Sequence, residues 1–420
     1  MGLRSKFSAI QFRYSGAKGV VSVDTRLLEP IQLVLRDSMI KFLSNHNMFE
    51  VCKVSKPLSL HLNRQVILLL SNRKIEDHEF LIMQQRDYIA LVRNLLQNSA
   101  AKKLLLEKLP SDLMVQPIID ANIDYIHEPF FRYIIINASL QAMRSLLRKT
   151  RIRVPNNKGR NMFGIVDEYK VLKENEVFIQ YTDIGEVDYQ KEETGGKTVI
   201  LNNCKVVITK NPCHHPGDVR TFTARDYPEL QHLKDVVVFP QQGQRCAPHD
   251  ISGSDLDGDE YVVIWHENLV PHRTENIQPM DYDSETPETT RRQAEIMAAK
   301  INPEDSCSIV REKVVDNVMN IASMDCLGQL SNLHLAFADR FSVNSNKKPA
   351  PNVPSTIELA KYISQEVDSA KTGYHPLNSD DIRRANEAIQ RKRPDYCENH
   401  NFESYPSKNV LGKKNKFSIE

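Results

Sequence analysis

The chain has 420 residues, 40% hydrophobic and 26% charged, a globular composition that excludes a disordered chain and predicts two or three domains. Its longest apolar runs, such as Val66 to Leu70, fall far short of the ~20 residues that span a bilayer, and no apolar secretory stretch follows the basic N-terminus. The net charge of +1 conceals an asymmetry: residues 1–160 carry 25 basic against 13 acidic side chains, and the other 260 carry −11.

In chain order, residues 7–54 read as short strands: FSAIQFRY, a turn at Ser15 to Gly19, GVVSVD and IQLVLRDSMIKF. From Leu62 to Leu109 apolar residues recur at helical spacing (Phe80, Met83, Tyr88, Leu91, Leu95), and 131–148 continue in that style. The stretch 144–160, RSLLRKTRIRVPNNKGR, holds seven basic residues and no acidic one. That density suits a phosphate backbone, through counterion release, or a solvated helix end and loop. Pro155 to Gly164 reads as a loop.

Residues 165–265 return to strands (IVDEY, EVFIQYT, TVILNNCKVVITKNP, DVVVFP, EYVVIW) punctuated by prolines. The Pro-, Thr- and Glu-rich stretch 270–290 reads as a linker, and 291–337 as helical. The polar SVNSNKKPAPNVPS leads to helical patterns near 355–370 and 380–391, and the basic tail after Asn409 reads as frayed. Seven cysteines lack framework spacing, which fits a reducing compartment, cytoplasmic or nuclear.

One feature stands far above this background: Ser252-Gly253-Ser254-Asp255-Leu256-Asp257-Gly258-Asp259-Glu260, running into Tyr261 to Trp265. Aspartates at alternate positions crowd three anions together. Their repulsion, about 1 kcal/mol per pair in water and several-fold more at protein-like screening, calls for a proton or a cation. All-oxygen donors favour Mg²⁺ or Mn²⁺ over Zn²⁺. An EF-hand beginning at Asp255 would need Gly and Glu where Glu260 and His266 stand. An aspartate-nucleophile phosphatase would place the pair after an apolar strand, whereas PHDISG precedes it. Two-metal nucleotidyl transfer remains, with a surface acidic turn as the structural alternative.

Other clusters are weaker. Cys213, His214, His215, Cys246 and His249 lack paired zinc-ligand spacing and read as core or surface residues. Gly195-Gly196-Lys197-Thr198 mimics the end of a phosphate loop, but the required first glycine is Lys191.

The stretch SGSDLDGDEY resembles the catalytic signature of the eukaryotic RNA-directed RNA polymerases of RNA silencing, with a nematode-like flavour. FRYSGAKGVVSVD, LRDSMIKF, RIRVP, ITKNPCHHPGD, DVVVFPQ, LSNLHLAFADR and VDSAKTG resemble further blocks of that family, in its order, across residues 8–375. The resemblance implies an α+β fold in which two double-psi β-barrels face a central cleft, with helical insertions and a C-terminal helical region. It implies a first, lysine-bearing barrel with its helical insertion at 1–160, a second, aspartate-bearing barrel at 161–270, and a helical region with a basic tail at 271–420.

The implied activity is RNA-directed RNA synthesis on a single-stranded RNA template from ribonucleoside triphosphates, for gene silencing. Asp255, Asp257 and Asp259 would hold Mg²⁺ (or Mn²⁺), and Lys18 and Lys41 would hold the triphosphate. Lys210, Asn211, Arg151 and Arg153 are candidate RNA or substrate contacts. Small-RNA proteins of the Dicer and Argonaute type are the implied partners, with no membrane. Lys18 and Lys41 as ordinary turn lysines, and Lys210-Asn211 as part of a common turn, are the alternatives. Arg340 and Lys371 read as solvated helix-end charges. Family members are usually longer, so an inactive RNA-binding or assembly module with the same fold is the competing function, and an unrelated metal-dependent phosphohydrolase is a third.

Overall fold

The computed structural model describes residues 7–108, 121, 123–184, 197–272, 276–282, 304–324, 326–341, 348–369, 375–397 and 402–417. They form two compact units. The first gathers Met1–Leu70, Lys74–Cys213 and Gly217–Gln278, and the second Ser71–Arg73, His214–Pro216 and Pro279–Glu420.

The first unit opens with β1 (Ala9–Tyr14) and β2 (Ala17–Ser22), joined by the two-residue turn Ser15-Gly16. Both turn residues have positive φ, 48° and 83°, the conformation that matches the twist of a tight hairpin. On its other edge β1 pairs antiparallel with β3 (Glu50–Val54), giving a three-stranded sheet in the order β2-β1-β3. Phe12, Ala17 and Met39 form its small core. The stretch from Ile31 to Phe42, expected as strand, is instead a loop with one 3₁₀ turn at Asp37–Met39. Ile31, Val34 and Phe42 are exposed there, so no second layer rewards an extended pairing.

The short strands β4 (Leu58–Ser59) and β5 (His61–Leu62) lead into α1 (Arg64–Asn72), α2 (Asp77–Leu96), α3 (Asn98–Lys108) and α4 (Pro129–Arg148). The apolar run Val66 to Leu70 is fully buried in α1. Helix α4 starts where it does because the Glu128 carboxylate accepts from the Phe131 amide at 2.8 Å and Pro129 follows the cap.

After β6 (Ile152–Arg153) come β7 (Gly159–Val166), β8 (Glu176–Thr182), β9 (Thr198–Ile200), β10 (Cys204–Lys210), β11 (Arg220–Ala224), β12 (Val236–Phe239) and β13 (Glu260–Ile264). Six of them run β11-β10-β13-β7-β12-β8 and close where β11 meets β8, an α+β double-psi barrel. The β7–β12 and β8–β11 pairs are parallel and the other four antiparallel. Alternate residues (Val177, Ile179, Val206, Ile208, Val237, Phe239, Tyr261, Val263) fill one face. Their neighbours Phe163, Ile165, Phe178, Val236 and Val238 pack on the other, with Ala9 and Val20 of the small sheet. Burial on both faces explains the unbroken VVVF and YVVI runs.

Strand β7 corrects the loop expected at 155–164. Its Arg160 and two glycines suggest a connection, yet its centre pairs with β12 on one side and β13 on the other. Arg160 is 1% exposed, donates to the Thr182 carbonyl at 3.0 Å, and lies over the Tyr181 ring.

The second unit contains α5 (Cys307–Met324), α6 (Leu327–Arg340), α7 (Pro354–Val367), α8 (Ser379–Ala388), β14 (Lys392–Pro394), β15 (Glu403–Tyr405) and α9 (Val410–Phe417). Leu330, Leu333, Phe337, Leu359, Ile363 and Ile389 build its core. The tail expected to fray forms α9 because Val410 and Leu411 are buried and the Asn409 side chain caps the Leu411 amide at 2.8 Å. Asn409 also donates to Asp339, which accepts from Ser407 at 2.6 Å and Tyr405 at 2.8 Å.

Candidate metal centre

The aspartate loop lies between β12 and β13, and its shape is held by hydroxyls. Ser252 Oγ donates to the Pro212 carbonyl and Ser254 Oγ to the Pro248 carbonyl, both at 2.5 Å. The Tyr261 hydroxyl lies 2.8 Å from Ser254 Oγ and 2.9 Å from the Asp255 carbonyl. That ring needs space in the neighbouring strand. A Cβ on Gly164 would stand 2.3 Å from it, so glycine there lets β7 and β13 close over the tyrosine.

Asp255, Asp257 and Asp259 each offer an oxygen, and these oxygens lie within 4.8 Å of one another. Among the described residues they are the one group of three or more acidic, histidine or cysteine side chains so placed. The loop folds back on itself: the Asp255 amide donates to Asp259 Oδ2 at 3.1 Å, and the Asp257 amide to Asp255 Oδ1 at 3.2 Å. Desolvation, then the Asp257 and Asp259 carboxylates, push the Asp255 carboxyl above its ordinary range.

Two ammonium groups answer this charge. Lys18 of β2 lies 2.6 Å from Asp257 Oδ2, and Lys210 at the end of β10 lies 2.5 Å from Asp259 Oδ2. Lys53 of β3 pairs with Glu260 at 3.0 Å. Three carboxylates against two lysines leave a net negative, all-oxygen donor set open to solvent, which fits a hard divalent cation.

The remaining sequence candidates have other partners. Lys41 is exposed and donates to the Ser38 carbonyl at 2.7 Å, without pairing to an aspartate. Asn211 accepts from Asn63 Nδ2 at 2.8 Å. Arg151 is exposed after α4, while the half-buried Arg153 is tied by its amide to Asp87 at 2.6 Å. Arg340 ends α6 and donates to the Ile389 carbonyl at 2.7 Å, and Lys371 falls outside the described residues. His214 is fully buried against the His334 ring, 4.9 Å between centroids, with Ser331 Oγ at 2.9 Å. Sequence reasoning missed Lys53 and the Tyr261 brace. The tyrosine had a signal, since it immediately follows the acidic run.

A closed double-psi barrel with three converging carboxylates on the loop entering one of its strands defines a double-psi barrel protein with a carboxylate cluster that could hold a metal. The chain belongs to a family described as RNA dependent RNA polymerase, whose model matches residues 1–413. It is 36% identical over 410 residues to RNA-dependent RNA polymerase 1 of Arabidopsis thaliana, covering 97% of this chain and 33% of that protein. It is 34% identical to the probable RNA-dependent RNA polymerase 1 of rice (97% and 50% covered) and 31% identical to RNA-dependent RNA polymerase 1 of Schizosaccharomyces pombe (97% and 33%). The fold is similar to the RNA dependent RNA polymerase QDE-1 from Thielavia terrestris, with a TM-score of 0.72 at 19% identity, covering all of this chain and 49% of that one. The chain thus spans about a third to a half of the length of these relatives. Among the described residues, no helix is long and apolar enough to cross a membrane.

Proposed function

We propose that this chain carries the catalytic centre of an RNA-directed RNA polymerase, which copies single-stranded RNA from ribonucleoside triphosphates to make double-stranded or small antisense RNA for gene silencing. The observation that carries the reading is the triad of Asp255, Asp257 and Asp259 within 4.8 Å, faced by Lys18 at 2.6 Å and Lys210 at 2.5 Å. In this reading residues 1–160 carry the small lysine-bearing sheet as part of the first barrel, 161–270 are the aspartate barrel, and 271–420 the helical region.

Asp255, Asp257 and Asp259 would hold Mg²⁺ (or Mn²⁺), which would supply a lowered pKa for the RNA 3′-hydroxyl and countercharge for the leaving pyrophosphate. The 3′-hydroxyl gives its proton to solvent, and its oxygen forms the new bond to the α-phosphorus as the bond to pyrophosphate breaks and pyrophosphate leaves. Lys18 and Lys210, released when the aspartates take up a cation, bind the triphosphate oxygens. Lys41 adds to that positive field, and Asn211, Arg151 and Arg153 contact the RNA backbone. None of the seven cysteines forms a disulfide, which fits a reducing, cytoplasmic or nuclear site of action; Dicer- and Argonaute-type proteins are the partners this reading proposes.

The test is incorporation of labelled nucleotide on an RNA template, with Asp257→Ala beside the unaltered chain. Template-dependent product, lost in the variant, is the expected result. RNA binding without product under Mg²⁺ or Mn²⁺ would favour the inactive RNA-binding module instead, and template-free phosphate release a phosphohydrolase.

A further inference from the structure

All three strands of the small sheet reach the aspartate loop, and they do so in two different ways. Lys18 of β2 and Lys53 of β3 bind carboxylates, those of Asp257 and Glu260. Gln11 of β1 binds main chain: its Nε2 donates to the Asp257 carbonyl at 3.0 Å, across 246 residues of sequence. A lysine on a carboxylate competes with any cation for the same oxygen. The carboxamide leaves the Asp257 carboxylate to the ion while holding the peptide that links Asp257 to Gly258.

Two features of the backbone serve this contact. The β1–β3 ladder shifts register between Gln11 and Phe12, with Gln11 opposite Lys53 and Phe12 opposite Val51, so Cys52 is left over. Such a bulge twists a strand locally and re-aims its side chains. On the loop, Gly258 has φ +135°, and a Cβ there would stand 2.0 Å from Gln11 Nε2 and 2.4 Å from its Cδ. The glutamine side chain therefore fills the space that a residue other than glycine would need, between the second and third aspartates.

We infer that Gln11 is a positioning residue for divalent metal: it fixes the Asp257–Gly258 peptide so that the three carboxylates stay converged once the lysines release them. The inference rests on the metal-binding reading above. Groups that orient metal ligands from behind typically change affinity 10- to 100-fold when removed.

Mn²⁺ titration of the full 420-residue chain, followed by the paramagnetic signal of free Mn²⁺, separates the possibilities. Asp257→Asn tests the site itself. Gln11→Met keeps the side-chain length and its packing on Gly258 without the donor, and Gln11→Ala removes both. The expected result is Mn²⁺ binding by the unaltered chain, lost in Asp257→Asn and weakened about tenfold in both Gln11 variants. The urea midpoint of the metal-free protein should stay near that of the unaltered chain, which separates positioning from simple stabilisation. An Mn²⁺ affinity within about twofold of the unaltered chain in either folded variant overturns the role of Gln11 and leaves the metal site standing; so does failure of both variants to fold. Absence of Mn²⁺ binding by the unaltered chain overturns the metal reading itself.

Discussion

The closed barrel and the three-stranded sheet treat their side chains in opposite ways. Barrel strands β12 and β13 bury nearly every residue, whereas Glu50 to Lys53 of β3 are exposed and Leu43, in the loop before it, is 94% open. The chemistry divides along the same line except at Lys210, a cation of barrel strand β10. The anions sit on a loop anchored by a dense barrel, where geometry holds. The cations Lys18 and Lys53 come from the lightly packed sheet, on long flexible stems that can change partner. In the proposed mechanism the anionic side grips an ion while the lysines change partner, which suits an anchored loop facing cations on flexible stems.

The contrast breaks most severely at the anions. Asp257→Ala should lower nucleotide incorporation by about 10³-fold or more, because a bound metal supplies several kcal/mol of charge stabilisation; single-turnover assays would measure it. Next come the packing changes. Ile208→Ala, in the barrel interior, should cost about 2–5 kcal/mol in urea unfolding, while Val51→Ala in β3 should stay within about 0.5 kcal/mol. Equal costs would show that the sheet is as tightly packed as the barrel. Lys18→Ala should raise KM for the ribonucleoside triphosphate by about tenfold with a smaller change in kcat, as expected for loss of one partly exposed charge contact.

The smallest effect concerns acid and the second unit. Burial holds His214 at a pKa of about 4 and His334 well below its ordinary value. An unfolded histidine takes up its proton near pH 6.5. Between those values the unfolded chain binds more protons than the folded one, so stability should fall on acidification from about pH 6.5 towards 4. His334→Leu should make the pH dependence of the unfolding midpoint shallower; an unchanged slope would remove these histidines as its cause.

The aspartate cluster was legible in the sequence because its meaning is local: five consecutive residues at alternate charge bring their carboxylates together in almost any tight loop. The barrel strands were legible where β-branched runs were dense, as in Val236 to Phe239. Strand β7 was not, since its buried Arg160 is met by the Thr182 carbonyl and the Tyr181 ring, partners that sequence does not announce. The tail read as frayed for a similar reason: its helix depends on a cap and on burial of Val410 and Leu411. Among the lysines, motif and spacing pointed to both Lys18 and Lys41, and the fold sets the first against Asp257 and the second against its own loop. Gln11 gave no signal at all, because its partner lies 246 residues away and is a main-chain carbonyl.

The most direct measurement is the affinity of the chain for a ribonucleoside triphosphate, with and without Mn²⁺, in the unaltered protein and in Asp257→Asn. Mn²⁺ should strengthen nucleotide binding by at least about tenfold in the unaltered chain, as one metal–phosphate interaction would supply, and leave the variant unchanged. Nucleotide binding that ignores Mn²⁺, or that responds to it equally without the Asp257 carboxylate, would contradict the assignment of these aspartates to a metal held against phosphate.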